Sequence, residues 1–379
     1  MAKLSTVLVV DNSRAVTGAL NAMRHATGPL REQLRFVYVL PTGSMGRVVL
    51  EADGYVVHEL PFVEVSRRKS DLLRYPFSLL LNGWRLKQLA RREEAAIIHL
   101  NDFYNLTGYV ARLLSLGRLR VITHVRFLPQ SLPQPLARTW RWLAVQLANR
   151  TIGVSQAVGR YFAGAANACV VYDPLPGAER HPSPTHPPRP DGSIELLYLS
   201  NFIQGKGQDL ALAAFAAAYA KDARLRLRFV GGDMGMAKNR EFRQRLEAEA
   251  SQAGLAEVVR FDGFVTDVEV AIKAADIVLN FSESESFSLT CLDALYYGTP
   301  LIASDCGGPA ELFEHGHSGL LVPNREVRGM TAAINQLAAD AYLRASFVMA
   351  GRAFVRQKFA PAYTYEALDR IYKELFLNY

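Results

Sequence analysis

The chain is too long for one ordinary hydrophobic core: its 379 residues, half of them apolar and 21% charged, predict a globular protein of two domains. The chain has only three cysteines, without metal-type spacing, which argues against a disulfide framework. Its first apolar run is too short for a signal peptide, and the lack of an 18-residue apolar run argues against a membrane span. The net charge of +7 is uneven, because residues 1–170 hold 22 Lys and Arg against 10 Asp and Glu, whereas residues 171–379 hold 21 against 26.

The first 170 residues alternate short apolar runs with amphipathic stretches. Such alternation predicts strands and helices in a doubly wound, mostly parallel sheet. The predicted strands are 6–10, 36–40, 55–58, 96–100, 120–123 and 151–154, and the predicted helices are 15–25, 46–52, 79–92, 108–116 and 136–148.

A proline-rich piece follows and predicts a domain boundary. Seven prolines between Pro174 and Pro190 exclude a helix or a central strand, so residues 173–192 are predicted to link a first domain, 1–172, to a second, 193–360. In the second domain the predicted strands are 194–199, 225–230, 258–261, 277–281, 301–303 and 319–322. The predicted helices after the linker are 207–219, 239–253, 268–274 and 364–377.

The segment after strand 277–281 carries the clearest functional signal. A serine-rich, acidic turn precedes a predicted helix that ends at Gly298. Ligands of open α/β sheets bind at the carboxyl ends of strands, and free amides at a helix N-terminus favour phosphate. Glu285 at the helix mouth and Asp293 two helical turns further on would flank such a ligand. The segment therefore predicts a site for a nucleotide-sugar.

Several ordered motifs in the second half resemble one family. They are the segment Glu285–Asp293 with the turn Gly298-Thr299-Pro300, the loop Gly307-Gly308-Pro309-Ala310-Glu311, the loop 199–207 with Lys206-Gly207, the strand ends Gly231-Gly232 and Gly263-Phe264, and the stretch 316–322. Together they resemble the GT-B glycosyltransferases of family 4, which are retaining enzymes that use nucleotide-sugars. The resemblance implies an α/β fold of two Rossmann-like, doubly wound domains that face each other across a cleft, with a C-terminal helix, 361–379, that crosses back to the first domain.

The resemblance also assigns roles to individual residues. Glu285, His124 and Lys206 are the predicted catalytic residues, and His99 is a second histidine candidate. The predicted donor-binding residues are Asn201, Lys206, Phe264, Val265, Glu285, Phe287, Ser288, Leu289 and Asp293. The predicted acceptor-side residues are Thr17, Gly18, Asn101, Asp102 and Arg126. Two positions depart from the family pattern: Asp293 stands in place of a glutamate, and Asn201 stands where the family usually has an arginine. Either Lys206 and the helix N-terminus bind the diphosphate without this arginine, or an arginine of the first domain, such as Arg126, compensates for it.

The predicted function is transfer of a hexose-type sugar from a UDP- or GDP-sugar to a lipid-linked or polysaccharide acceptor, with retention, in bacterial cell-surface glycan synthesis. No cofactor or metal is expected, since no Asp-x-Asp pair or His/Cys cluster with ligand spacing occurs and the family is metal-independent. The alternatives are a weakly active or inactive nucleotide-sugar-binding protein and a nucleotide-sugar epimerase. A Rossmann oxidoreductase is disfavoured because no Gly-x-Gly-x-x-Gly follows the first strand, and no nucleic-acid-binding motif is present.

Basic and apolar residues interleave in the first half and predict contact with an anionic membrane surface. The basic members are Arg67, Arg68, Lys69, Arg74, Arg85, Lys87, Arg91 and Arg92, and the apolar members are Tyr75, Phe77, Leu79, Leu80, Leu81 and Trp84, with 138–142 adding more. The protein is thus predicted to be cytoplasmic and peripheral at the inner face of the cytoplasmic membrane. The alternative is that the aromatic side chains pack inward and the arginines are simply solvated.

Overall fold

The computed structural model describes residues 4–62, 69–176, 189 and 191–377, with residues 69–73 described by their backbone alone. The chain divides into two compact units, one of Met1–Pro174 with Pro361–Tyr379 and one of Leu175–Ala360. Most of the predicted linker 173–192, namely 177–188 and 190, lies outside the described residues, as do the predicted basic residues Arg67 and Arg68. In the part of the chain that is described, no helix is both long and apolar enough to span a membrane.

The first unit is built on a parallel sheet of seven strands in the order β3-β2-β1-β4-β5-β6-β7. The strands are β1 (Ser5–Val10), β2 (Leu34–Pro41), β3 (Val56–Leu60), β4 (Ala95–Leu100), β5 (Arg120–Val125), β6 (Arg150–Gly153) and β7 (Ala168–Val170). The helices that alternate with them are α1 (Gly18–Thr27), α2 (Gly46–Ala52), α3 (Lys69–Arg92), α4 (Thr107–Leu114), α5 (Gln134–Leu147) and α6 (Gln156–Gly159).

The second unit repeats the plan with six parallel strands in the order β10-β9-β8-β11-β12-β13. The strands are β8 (Ile194–Leu199), β9 (Leu225–Val230), β10 (Val259–Asp262), β11 (Ile277–Asn280), β12 (Leu301–Ser304) and β13 (Leu320–Val322). The helices are α7 (Gln208–Tyr219), α8 (Ala237–Gln252), α9 (Val268–Lys273), α10 (Leu289–Tyr297), α11 (Val327–Ala339) and α12 (Ala341–Lys358). The predicted class, two Rossmann-like α/β units with parallel sheets, is confirmed.

The last helix, α13 (Pro361–Leu377), belongs to the first unit. Leu368, Ile371, Tyr372 and Leu375 are buried in the same apolar cluster as the side chains of β1 and β2. Their spacing of three and four residues places them on one helix face, so burial of this face holds the end of the chain on the first sheet.

Several elements differ from the sequence prediction, and the difference at α1 has a local cause. Helix α1 begins at Gly18 rather than at residue 15, because the Thr17 hydroxyl caps it by accepting from the Leu20 amide at 3.2 Å. Helix α3 begins ten residues before the prediction and continues through Pro76, which sequence reasoning treats as a helix breaker. Strand β7 and helices α6, α11 and α12 were not among the predicted elements.

Helix α10 begins at Leu289, so the prediction that Glu285 sits at its mouth is wrong. Ser288 has a left-handed backbone (φ 80°), and its hydroxyl accepts from the Cys291 amide at 3.4 Å and from Asn280 Nδ2 at 3.0 Å. This cap ends an irregular loop at Ser288, and Asp293 lies one turn, not two, inside the helix.

Candidate active site

A lysine–glutamate pair lies at the point of the second sheet where the strand order reverses. Lys206 lies in the loop after β8, and Glu285 lies in the loop after the adjacent parallel strand β11. The Nζ of Lys206 is 2.7 Å from Oε1 of Glu285, and the two side chains remain 32% and 15% exposed. The structure thus brings together two predicted catalytic residues at the place where open α/β sheets bind ligands.

Two neighbours that the sequence analysis did not single out hold this pair in position. The Ser282 hydroxyl donates to Oε1 of Glu285 at 2.9 Å. The hydroxyl of buried Tyr198 donates to the Lys206 carbonyl at 2.5 Å and accepts from the Phe281 amide at 2.8 Å, which joins the β8 loop to the end of β11. Ser282 belongs to the acidic serine-rich turn, but a tyrosine inside an apolar strand gave no sequence signal.

Two glycines allow the loops around the pair to approach closely. Gly207 has a φ of 82°, and a Cβ there would lie 2.0 Å from the Phe281 carbonyl oxygen. A Cβ at Gly308 would lie 2.4 Å from the Phe287 Cα. The amide of Gly308 donates to the Glu285 carbonyl at 2.8 Å, so the loop after β12 fixes the backbone of Glu285. A side chain at either glycine would displace a loop of the site.

The predicted amide donors lie at the start of α10. Phe287 is buried with its ring 5.7 Å from that of Phe359, so its side chain belongs to the core. Ser288 is the helix cap and Leu289 the first helical residue, and amides of a first helical turn have no acceptor within the helix. This helix end is therefore suited to receive an anionic group.

Asn201, Phe264 and Val265 lie together at the ends of β8 and β10. The Asn201 side-chain oxygen accepts from the Gly232 amide at 3.1 Å, and its backbone carbonyl accepts from Gln208 at 2.8 Å. Phe264 is 68% exposed beside Gly232, and Val265 is half-buried. Asn201 therefore ties two loops together, while an exposed aromatic ring at a strand end offers a stacking surface for a planar base.

Asp293 is a half-buried carboxyl group for which the described residues provide no hydrogen-bond or ion-pair partner. Burial raises the pKa of Asp293 from 3.8 to about 7. A carboxylate in this condition would gain from hydroxyl donors, which a ribose supplies.

We expect Asp293→Asn to stabilise the protein in a pH-dependent way. Because the folded-state pKa of Asp293 is raised, the wild type loses stability as the pH rises from about 4 to about 7, and the asparagine variant lacks this loss. The variant should gain on the order of 1–3 kcal/mol over the wild type at pH 8 and nothing at pH 4. Thermal unfolding of both proteins across this range measures the difference, and a difference that does not vary with pH would contradict the assignment.

In the first unit, four polar side chains at the ends of β1, β4, β5 and β7 form one buried network. Asn101 donates to Asp11 Oδ2 at 2.6 Å and accepts from Arg126 Nε at 2.5 Å. Arg126 also pairs with Asp173 at 2.6 Å, and its side chain is only 5% exposed. Asn101 and Arg126 are thus engaged within the unit, and their acceptor-side role stays a prediction. The burial and the Asp173 pair likewise give no support to Arg126 as a replacement for the missing phosphate-site arginine.

The two candidate histidines lie side by side next to this network. His99 Nε2 is 3.2 Å from His124 Nδ1, and His99 Nδ1 is 2.7 Å from the hydroxyl of Tyr372 on α13. Burial, with a further contribution from the nearby Arg126, lowers the pKa of His99 to about 3 and places that of His124 well below its ordinary value of 6.5. Both rings are therefore neutral near pH 7.

The remaining acceptor-side residues lie at the same edge of the first sheet. Thr17 caps α1, and Gly18 is exposed as its first residue. Asp102 accepts from the Phe103 amide at 2.6 Å, and burial raises the pKa of its carboxyl group to about 7.

A separate small recess, with room for about one water molecule, lies in the first unit beside α3 and α4. The described residues that line it are uncharged and combine amides, hydroxyl groups and aromatic rings: Asn12, Phe62, Tyr75, Ser78, Leu79, Asn82, Tyr104, Asn105 and Thr107. The buried Nδ2 of Asn105 has no hydrogen-bond partner among the described residues. None of these residues was among the predicted site residues.

The interleaved apolar residues of α3 do not all pack inward. Phe77, Leu80, Leu81 and Trp84 recur at helical spacing and are exposed, Phe77 to 78%. The alternative that the aromatic side chains pack inward is therefore wrong for Phe77 and Trp84. They form an apolar stripe on the surface of the first unit.

Two parallel-sheet units with a charged pair at the switch point of the second are the features of a GT-B protein. Residues 182–354 match the model of glycosyl transferases group 1, and residues 36–174 match the model of glycosyltransferase family 4. Both halves of the chain thus match models of glycosyltransferases, one in each unit.

Known relatives cover parts of the chain, and solved structures cover nearly all of it. A D-inositol 3-phosphate glycosyltransferase of Streptomyces bingchenggensis is 34% identical over 40% of this chain and 34% of its own length. The lipopolysaccharide core biosynthesis mannosyltransferase LpcC of Rhizobium leguminosarum is 31% identical over 35% of this chain and 38% of its own. Each match thus spans little more than a third of the relative. The structure of Anabaena Alr3699/HepE with UDP and glucose has a TM-score of 0.83 at 22% identity, over 98% of this chain and 100% of that one, which shows the shared fold.

Proposed function

We propose that this chain is a glycosyltransferase that moves a hexose-type sugar from a UDP- or GDP-sugar to a lipid-linked or polysaccharide acceptor, with retention and without a metal ion. The observation that carries this proposal is the Lys206–Glu285 pair at the switch point of the second sheet, beside the start of α10. Such a place combines a fixed cation, free amides and a carboxylate, which are the groups that a nucleotide-sugar requires.

Each group at this site has a definite chemical task in the proposal. The Lys206 ammonium and the amides of Ser288 and Leu289 bind the diphosphate and stabilise the charge that develops as it leaves. Glu285 accepts hydrogen bonds from the sugar hydroxyls, Asp293 accepts from the ribose, and the exposed ring of Phe264 contacts the base. The backbone of Val265, next to Phe264, is proposed to contact the base as well.

The proposed transfer needs no nucleophile from the protein. The acceptor oxygen forms a bond to the anomeric carbon on the face from which the diphosphate departs, and the bond from this carbon to the diphosphate oxygen breaks. The acceptor proton passes to the β-phosphate, so atoms and charge balance. His124, neutral and buried, is assigned to bind the sugar or orient the acceptor hydroxyl.

The first unit supplies the features proposed for the acceptor. The amides, hydroxyl groups and aromatic rings around the small recess beside α3 are proposed to contact a saccharide acceptor, since amides and hydroxyl groups bond sugar hydroxyls and aromatic rings cover sugar faces. The name of the relative LpcC supports a role in bacterial cell-surface glycan synthesis. The UDP and glucose bound to HepE favour a UDP-sugar among the two donor types.

The experiment that tests the function is a donor panel. First, the Tm of the purified chain is measured in the presence of UDP, GDP and their hexose conjugates. In a separate assay, release of nucleotide from each conjugate is measured with and without saccharide acceptors. We expect one nucleotide series to raise the Tm and its sugar conjugate to release nucleotide. Binding without any release would favour the inactive nucleotide-sugar-binding protein, and conversion of the sugar without release of nucleotide would favour the epimerase.

The apolar stripe of α3 (Phe77, Leu80, Leu81 and Trp84) is proposed to rest on the inner face of the cytoplasmic membrane, where the basic first half meets anionic lipids. We expect the chain to sediment with anionic liposomes at low salt and to be released as salt rises. The double variant Phe77→Ser/Trp84→Ser should lose most of this binding, because both side chains are exposed, while its Tm stays close to that of the wild type. Failure of the wild type to sediment at low salt would contradict this part of the proposal.

A further inference from the structure

Tyr372, His99 and His124 form a hydrogen-bonded row in the first unit that ends at His124. A fourth side chain, Arg126, contacts the same His124 nitrogen as His99 does. Arg126 Nη2 is 3.4 Å from His124 Nδ1, and His99 Nε2 is 3.2 Å from the same nitrogen. On its other side, His99 Nδ1 is 2.7 Å from the Tyr372 hydroxyl. The row therefore begins on α13, passes through β4 and reaches β5.

The chemistry of this row favours one assignment of protons. A guanidinium can only donate, so the Arg126 contact at 3.4 Å favours an acceptor at His124 Nδ1, and the stronger bonds further along the row decide whether this assignment is held. His99 Nε2 faces that same acceptor and must carry a hydrogen to bond with it. Neutral His99 then has no hydrogen on Nδ1, which accepts from the Tyr372 hydroxyl. Burial raises the pKa of Tyr372 above its ordinary value, which keeps this hydroxyl protonated as a donor.

The end of the row is a polar atom without a protein partner. His124 is 2% exposed, and its Nε2 has no hydrogen-bond partner among the described residues. Since Nδ1 accepts, the single hydrogen of the neutral ring is on Nε2.

We propose that Tyr372 and His99 are positioning residues that fix His124 in the Nε2–H tautomer, so that His124 acts as a neutral hydrogen-bond donor to a substrate oxygen and not as a base. This inference rests on the proposed function for the identity of that oxygen, a sugar or acceptor hydroxyl. The tautomer itself does not depend on the reaction, because it follows from groups inside the first unit.

The first test is a nitrogen NMR spectrum of the whole chain labelled with ¹⁵N in its histidines, with the His124 signals assigned from a His124→Gln spectrum. We expect His124 Nε2 in the protonated range and Nδ1 in the unprotonated range. The reverse pattern, or two protonated nitrogens, would overturn the proposal whether or not the chain is an enzyme.

The second test is Tyr372→Phe, which removes only the hydroxyl. Without this donor His99 can move its hydrogen to Nδ1, so we expect a second His124 tautomer in the spectrum and a loss of about 10-fold in kcat with KM for the donor unchanged. Tyr38→Phe is the matched control, since Tyr38 is equally buried in the same cluster and loses a hydroxyl bonded to Thr27 at 2.8 Å. It should leave both the His124 spectrum and kcat unchanged.

The outcomes separate the two proposals. An altered spectrum with no change in kcat would overturn the role of the tautomer in transfer while leaving the glycosyltransferase assignment intact. An unaltered spectrum in Tyr372→Phe would overturn the positioning role. If Tyr372→Phe does not fold, the wild-type spectrum still decides the tautomer.

Discussion

Replacing Glu285 by glutamine should lower sugar transfer by at least about 100-fold, because the amide offers sugar hydroxyls a neutral acceptor in place of a carboxylate that is oriented by Lys206 and Ser282. The measurement is kcat/KM with the donor identified by the nucleotide panel. The Tm should change little, since the Glu285 backbone is held separately by the Cys306 carbonyl and the Gly308 amide.

The matched control for this variant is Glu283→Gln. Glu283 lies two residues away in the same loop and pairs with exposed Arg325, outside the Lys206–Glu285 pair. It should keep nearly full activity, because its carboxylate is engaged at the surface. Full activity of Glu285→Gln, or equal losses in the two variants, would show that the charged pair is not the donor site.

Replacing Lys206 by methionine should lower both the affinity for the nucleoside diphosphate and the rate of transfer, the latter by about 10²- to 10³-fold. Methionine keeps the length and apolar stem of the side chain but removes the only cation that the described residues place beside Glu285. The loss should be larger in kcat than in donor KM, because charge on the diphosphate grows as the bond to the sugar breaks.

A second substitution distinguishes charge from simple packing at this position. Lys206→Arg retains the cation. Compared with Lys206→Met, it should restore binding of the nucleoside diphosphate, measured by calorimetry, more fully than it restores kcat. A purely structural ion pair would give a different result: Lys206→Met/Glu285→Gln would then match the wild type in activity, and this outcome would end the assignment of both residues.

The local pattern of apolar residues was enough to place most elements of this fold. Strands β8 and β9 are mainly apolar, with Glu195 in the first and Arg226 and Arg228 in the second only half-buried. Their predicted bounds coincide with the observed ones. The predicted helix starts were less accurate where a side-chain cap determines them. Helix α10 begins after its Ser288 cap, beyond Glu285, and α1 begins after its Thr17 cap, three residues later than predicted.

The sequence by itself determined the α/β class, the motif around Glu285 and the lysine that precedes Gly207, because these depend on residue types at short spacing. The tertiary structure decided which distant groups meet. Lys206 and Glu285 are 79 residues apart, and Tyr372 and His99 are 273 apart, so their contacts arise only when adjacent parallel strands and a returning helix are packed. The structure also decided that Asn101 and Arg126 are buried and that the α3 stripe is exposed. Side-chain type cannot predict these outcomes, because burial depends on what the rest of the fold packs against each residue.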